Sequence, residues 1–232
     1  MPPPPPKRKG TVPKTGVDAP KPASLAGASP LLVVISAPSG TGKTTLQEQV
    51  LARRPNMTRA ITCTTRAPRP GERDGIDYYF LDAATFLKRV QAGNFLEHAT
   101  VYGNSYGTLK SEVLSKMRAG KEVLLSVDVQ GAATIRDHAE GDAELKRSLV
   151  MVFLAPPSLV VLEQRLRKRG QDSPAVIAKR LSLARQELAQ WKHFDYLIVS
   201  SSIQEDGRRL EAILDAEQMR QGRAVLPVYE PA

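Results

Sequence analysis

Apolar residues along this chain follow two alternating patterns. Short, nearly continuous runs occur at 31–36, 122–128, 149–154 and 196–200. They are too short for buried helices and read as strands covered on both faces. Between and after them lie longer stretches with helical spacing, at 43–54, 82–91, 130–138, 158–169, 175–190 and 205–220. In the 175–190 stretch Ile177, Leu181, Ala184 and Leu188 share one face. Pro156-Pro157 stops a strand, and Ser158 is placed to cap the helix that follows. Strands alternating with helices predict an α/β fold: a mostly parallel sheet flanked by helices, with ligands at the carboxyl ends of its strands.

Residues 60–108 break this alternation. Turn-forming Thr65-Arg66-Ala67-Pro68-Arg69-Pro70-Gly71 is followed by β-prone Asp77-Tyr78-Tyr79-Phe80, Phe95-Leu96-Glu97-His98 and Tyr102-Gly103-Asn104-Ser105-Tyr106-Gly107-Thr108. This predicts a small, mostly β insertion over 62–108, standing on a core made of 31–61 and 109–220, with 221–232 as a C-terminal extension.

Composition bounds the picture. The chain has 232 residues, 41% hydrophobic and 25% charged, as expected of a globular protein with one substantial core. Residues 1–30 hold nine of the 18 prolines, and Lys7, Arg8, Lys9, Lys14 and Lys21 against Asp18 alone. A segment this poor in apolar side chains cannot offset its ordering entropy, and it reads as a solvated tail. Pro2–Pro6 docking to an aromatic groove, or Lys7-Arg8-Lys9 touching a phosphate backbone, are the alternatives. The net charge of +9 suits polyanionic partners. The single Cys63 excludes an intrachain disulfide, and no apolar run is long enough to span a membrane. With no apolar segment near the N-terminus, a cytoplasmic location is expected.

The chemistry begins at Ala37-Pro38-Ser39-Gly40-Thr41-Gly42-Lys43-Thr44-Thr45, directly after the first apolar run. A strand, a Gly-rich turn and a helix start form a P-loop. Its backbone N–H groups and the positive helix end cradle phosphates. Lys43 can reach the outer phosphates, and the Thr44 hydroxyl can hold Mg²⁺. Ala37 stands where the pattern has its first Gly. The loop implies a bound nucleoside triphosphate and no more. Asp128, at the end of another apolar run, can support Mg²⁺, cap the next helix, or do both. Arg165 and Arg169 lie four apart on one helix face, within a basic run that carries no interleaved aromatics and so argues against nucleic-acid binding.

Together these segments resemble guanylate kinase: SAPSGTGKTT, TTRAPRPGERDGIDYYF, NFLEH, YGT, LLSVDVQGA, FLAPPS and RLRKRG, spread over 31–220. The resemblance implies transfer of the γ-phosphoryl group of ATP to GMP with Mg²⁺, a GMP-binding insertion, and a short lid near 168–175. It implies Arg66, Arg69, Tyr78, Tyr106 and Thr62 around the GMP phosphate. Glu97, Gly107 and Thr108 would lie at the base, Asp128 beside GMP and the metal, and Lys43, Arg165, Arg169 and Arg180 around the transferring group. Independent chemistry agrees. Arg66 and Arg69 are three apart in a Pro-bounded loop, so their forks can converge on a phosphate dianion. A carboxylate at 97 can accept from guanine N1–H and the 2-amino group together, whereas adenine would leave it unpaired; without the resemblance, Glu97 reads instead as an exposed strand residue pairing with a nearby Arg.

Four positions depart from the family pattern. Ser126 replaces a usual Asp, Ser105 an often-seen Tyr, Ser200-Ser201-Ser202 a segment that usually begins with Asn, and Thr62 a usual Ser. Ser126 leaves open a kinase of altered acceptor choice, and Ser200 bears on donor choice. A catalytically silent binding module of the same fold is the reading from another class, but Lys43, Gly40 and Gly42 are retained.

Overall fold

The computed structural model describes residues 29–101, 103–170 and 172–226. The Pro-rich segment, except its last two residues, and the end of the C-terminal extension lie outside these. In chain order the elements are β1 (Leu32–Ser36), α1 (Lys43–Arg53), β2 (Met57–Arg59), β3 (Thr62–Thr64), β4 (Tyr79–Phe80), α2 (Ala83–Gln91), β5 (Phe95–Val101), β6 (Asn104–Leu109) and α3 (Lys110–Arg118). Then follow β7 (Glu122–Val127), α4 (Val129–Glu140), α5 (Ala143–Ser148), β8 (Leu149–Ala155), α6 (Leu159–Arg169), α7 (Pro174–Leu188), a 3-10 turn (Ala189–His193), β9 (Tyr196–Val199) and α8 (Ile203–Gln218).

The four apolar runs become β1, β7, β8 and β9. With β2 they form a five-stranded sheet in the order β2-β7-β1-β8-β9, every pairing parallel. β1 is central, and all five of its side chains are buried. Val33 and Ile35 face Leu46 and Val50 of α1 and Leu210 and Leu214 of α8. Leu32 and Val34 face Val113 and Met117 of α3 and Ile135 and Ala139 of α4. Burial on both faces is why the run carries no polar alternation. Each such side chain contributes about 1.5–3 kcal/mol, so the strand leading into the P-loop is firmly anchored.

A second sheet, in the order β4-β3-β6-β5, is built from residues inside 62–109. β6 pairs antiparallel with β3 and β5, and β4 pairs parallel with β3. Its own small core joins Cys63, Phe86 of α2, Phe95 and Leu109. Side chains start most of the helices, as their sequences suggest: Asp82 accepts from Thr85 N at 2.8 Å, Asp128 from Gly131 N at 2.8 Å, and Ser158 from Val161 N at 3.1 Å. The apolar pattern does not predict β2, α3 or α5. β2 is a three-residue edge strand with only Met57 buried, and α5 is six residues long. Both are too short to show a period. Among the described residues no helix is long and apolar enough to cross a membrane.

Candidate functional site

The turn after β1 is held by its own atoms. Thr41 is buried and donates to Pro38 O from its backbone N (3.2 Å) and from Oγ1 (2.8 Å). Gly40 and Gly42 have φ of 90° and 109°, a region that favours glycine. A Cβ on Gly40 would also lie 2.7 Å from Leu166 Cδ2 of α6. Lys43 reaches across the turn, and its Nζ donates to Val127 O at the end of β7 (2.6 Å). Burial pushes its ammonium below the usual lysine range, opposed by the charges of Asp128 and Glu187. A cleft of about 570 Å³ opens over this turn. Residues 37–45 other than Thr41 line it, with Asp128, Arg169 and Glu187 along its walls. It lies beyond the carboxyl ends of β1 and β7, where ligands of open parallel sheets bind.

The basic side chains from α6 and α7 divide their tasks. Arg165 Nη1 donates to Thr41 O at 2.9 Å and to Ser200 Oγ at 3.3 Å, tying the turn to the segment after β9. Arg180 Nη1 donates to Ser39 Oγ at 2.5 Å, and its Nη2 pairs with Asp172 Oδ1 at 3.1 Å. Arg169, the last residue of α6, lines the cleft directly. Arg167 is turned outward to Glu163, one helical turn back. Between α6 and α7, Gly170 ends the first helix with φ 67° and Ser173 caps the second.

The second sheet presents two groups. In the loop after β3, Arg66 Nη2 pairs with Glu72 Oε1 at 2.8 Å, and its guanidinium lies 5.3 Å from the centre of the Tyr78 ring. The Glu72 hydrogen bond is the main cause that raises the Arg66 pKa, and the Tyr106 hydroxyl adds to it. Arg69 N donates to Glu72 Oε2 at 2.7 Å, so one carboxylate orders the loop carrying both arginines. Tyr78 and Tyr106 meet edge to face at 6.4 Å. The second group is Glu97 on β5, with Thr108 opposite it on β6 and Thr62 beside Thr108 on β3. Thr108 Oγ1 donates to Glu97 Oε1 at 2.7 Å. Glu97 is only 7% exposed, and burial pushes its carboxyl above the usual range; Thr108 opposes the shift and Asp128 adds to it. Gly107 is the neighbour of Thr108 in β6, and a Cβ there would fall within 3 Å of Phe95 and of the Glu97 carbonyl oxygen.

The two halves meet at the start of α4. A Cβ on Gly131 would sit 3.3 Å from Glu97 Oε2 and 3.4 Å from Asp128 Oδ1. The absent side chain lets a carboxylate of the second sheet approach the rim of the phosphate cleft. Asp128 serves as helix cap while lining that cleft.

A guanylate kinase family model matches residues 29–217. The chain belongs to the guanylate kinase family. A guanylate kinase of Cereibacter sphaeroides is 42% identical over 193 residues, which cover 83% of this chain and 89% of that one. One from Coxiella burnetii is 43% identical over 189 residues, 82% of this chain and 88% of its own. The crystal structure of guanylate kinase from Anaplasma phagocytophilum superposes with a TM-score of 0.65 at 32% identity, covering 84% of this chain and 90% of that chain.

Of the serines that depart from that family pattern, Ser200 meets a side-chain donor, whereas Ser105 and Ser126 are held through their main chains. Ser200 receives Arg165, and Ser105 N takes a hydrogen bond partner in Thr65 Oγ1 at 2.8 Å. Ser126 lies in β7 beside Ile35 of β1. Two acids with no motif role of their own, Glu72 and Glu187, stand in the candidate site region. Glu72 orders the arginine loop. Glu187 lies seven residues after Arg180 on α7, two helical turns along the same face, and that spacing was the available signal.

Proposed function

We propose that the protein transfers the γ-phosphoryl group of ATP to GMP, giving ADP and GDP, and accepts dGMP as well. The observation that carries this reading is the buried Glu97 carboxylate set close to Asp128 and the phosphate cleft, with only Thr108 donating to it in the hydrogen bonds described above. A dry carboxylate wants donors, and guanine offers N1–H and the 2-amino group side by side. Thr108 would complete the base site. Arg66, Arg69, Tyr78 and Tyr106 would hold the acceptor phosphate, and the P-loop the triphosphate; Thr62, expected at the phosphate, pairs with Thr108 and so groups with the base site instead.

Thr44 and Asp128 are oxygen donors beside that loop, a set that fits a hard cation bound chiefly through phosphates and water. Mg²⁺ bound there would neutralise phosphate charge. The acceptor oxygen is already anionic, so its attack on the γ-phosphorus, with cleavage of the bond to the β–γ bridging oxygen, needs no strong base. The chain's part is alignment and charge: Lys43, Arg165, Arg169 and Arg180 face the oxygens that gain charge. Arg165 and Arg180 already hold the P-loop, so the same guanidinium groups fix the turn and flank the reaction. Closure of the 62–108 insertion and of the segment near 168–175 would exclude water and so suppress hydrolysis of ATP. A cytoplasmic location, where both nucleotides are at hand, accords with this role.

The test is direct detection of GDP from ATP, Mg²⁺ and GMP, with AMP as competing acceptor and Lys43→Ala as control. Turnover on GMP, little on AMP, and loss in the variant are expected. Turnover on another monophosphate instead would move attention to Ser126. A folded, ATP-binding protein without turnover would support the silent module. Solution scattering that shows no compaction with both nucleotides bound would remove the closure step.

A further inference from the structure

β5 does not run straight into β6. The register pairs Phe95 with Leu109 and Glu97 with Thr108, passing over Leu96. The extra residue is a bulge, and it sends three successive side chains to three destinations. Phe95 enters the small core of the second sheet, Leu96 is fully buried in the main core beside Ile135 and Ala139, and Glu97 faces Thr108 and the start of α4. A bulge also leaves the main-chain groups of its extra residue without a ladder partner. Here the Leu96 carbonyl has a specific one. His138, in the last turn of α4, places Nδ1 2.7 Å from Leu96 O. A carbonyl oxygen only accepts, so Nδ1 carries the proton and donates. Both the neutral Nδ1–H tautomer and the imidazolium make this bond.

We infer that His138 is a positioning residue for guanine recognition: by holding the Leu96 carbonyl it fixes the bulge that aims the Glu97 carboxylate at the base. α4 then grips β5 from both ends, through Gly131 packed against Glu97 and through His138 on Leu96. Because α4 begins at Asp128 on the phosphate cleft, one rigid helix sets the distance between the base reader and the site of transfer. The inference rests on the reading of Glu97 given above.

The experiment uses the full chain and measures ADP formation with GMP and with IMP, which keeps N1–H but lacks the 2-amino group. His138→Ala is expected to raise KM for GMP about fivefold. KM for ATP should stay within about twofold, and the preference for GMP over IMP should shrink in proportion. His138→Asn, whose side-chain amide can donate from nearly the same place, should restore most of the loss. In a Glu97→Gln background His138→Ala should add little, because its route to the base is already cut. Equal rises in both KM values, a GMP/IMP ratio that does not move, or a full additional loss in the Glu97→Gln background would each overturn the inference and leave His138 a merely structural residue. Wild-type protein that fails to phosphorylate GMP would overturn the acceptor assignment, and this inference with it.

Discussion

Replacing Glu97 by Gln changes one oxygen to an amide and leaves the shape of the side chain intact. The Thr108 hydroxyl can still donate to the remaining oxygen, as it does to Glu97 Oε1 at 2.7 Å. The amide then points a donor at a guanine donor. One charge-assisted hydrogen bond is lost, worth about 1.5–3 kcal/mol, which is roughly 10- to 150-fold in kcat/KM for GMP. The same substitution should stabilise the ligand-free protein. Burial raises the Glu97 carboxyl above its ordinary value of 4.5. A carboxyl whose folded pKa is raised contributes stability that is fully present below the ordinary value and is lost as pH rises through the folded pKa. Gln never ionises and escapes that loss. Thermal melts without ligand should therefore place Glu97→Gln a few degrees above wild type at pH 7–8, with the gap closing towards pH 4. Added GMP should reverse the order, because wild type gains binding stabilisation that the variant largely lacks. A variant within threefold of wild type on GMP, or one less stable at pH 8 than at pH 4 relative to wild type, would refute the account of Glu97 as a dry carboxylate held ready for donors.

Other substitutions test the remaining parts. Lys43→Met should lower kcat by about a thousandfold or more in the coupled GDP assay while the protein melts normally, since Nζ bonds one carbonyl, Val127 O, and its proposed task is to face the phosphates. Gly40→Ala meets both a φ of 90° and the Leu166 side chain, so strain of about 1–3 kcal/mol should appear as weaker ATP binding by calorimetry. Arg223→Ala removes donors to Arg147 O (2.7 Å) and Leu149 O (2.9 Å) and takes one cation from the buried Glu217, which keeps Tyr196 Oη and Arg220. Urea unfolding should show a loss of about 1–3 kcal/mol, partly recovered by a second change, Glu217→Gln.

The parallel core was legible because its strands are buried on both faces: 31–36 could hardly be anything but the middle of a sheet once helices flanked it. The P-loop was legible for a different reason. Its function depends on backbone N–H groups and glycine dihedrals, and these are written in residue types at fixed spacing. The acceptor side gave less. Arg66 and Arg69 could be paired by spacing, but nothing local reveals that Glu72 accepts from both the Arg66 side chain and the Arg69 backbone. Glu97 is the sharper case. Period-two alternation along 95–101 would put Phe95 and Glu97 on one face, and the structure instead parts them with a bulge at Leu96.

That bulge is a tertiary product, and its cause lies outside β5. Leu96 is drawn into the main core by Ile135 and Ala139, and its carbonyl is met by His138, roughly forty residues along the chain. No window on β5 alone contains that information. The same holds for Gly131: as a residue in the first turn of a helix it costs stability relative to alanine, and local propensity offers no reason for it. The reason appears only when the Glu97 carboxylate arrives 3.3 Å from where its Cβ would be. Local rules and the fold disagree at these two positions, a helix glycine and a broken strand register. Such disagreements concentrate where a structure gives up local stability for a site. Here they mark the junction at which the carboxylate proposed to read guanine is brought to the edge of the cleft over the P-loop.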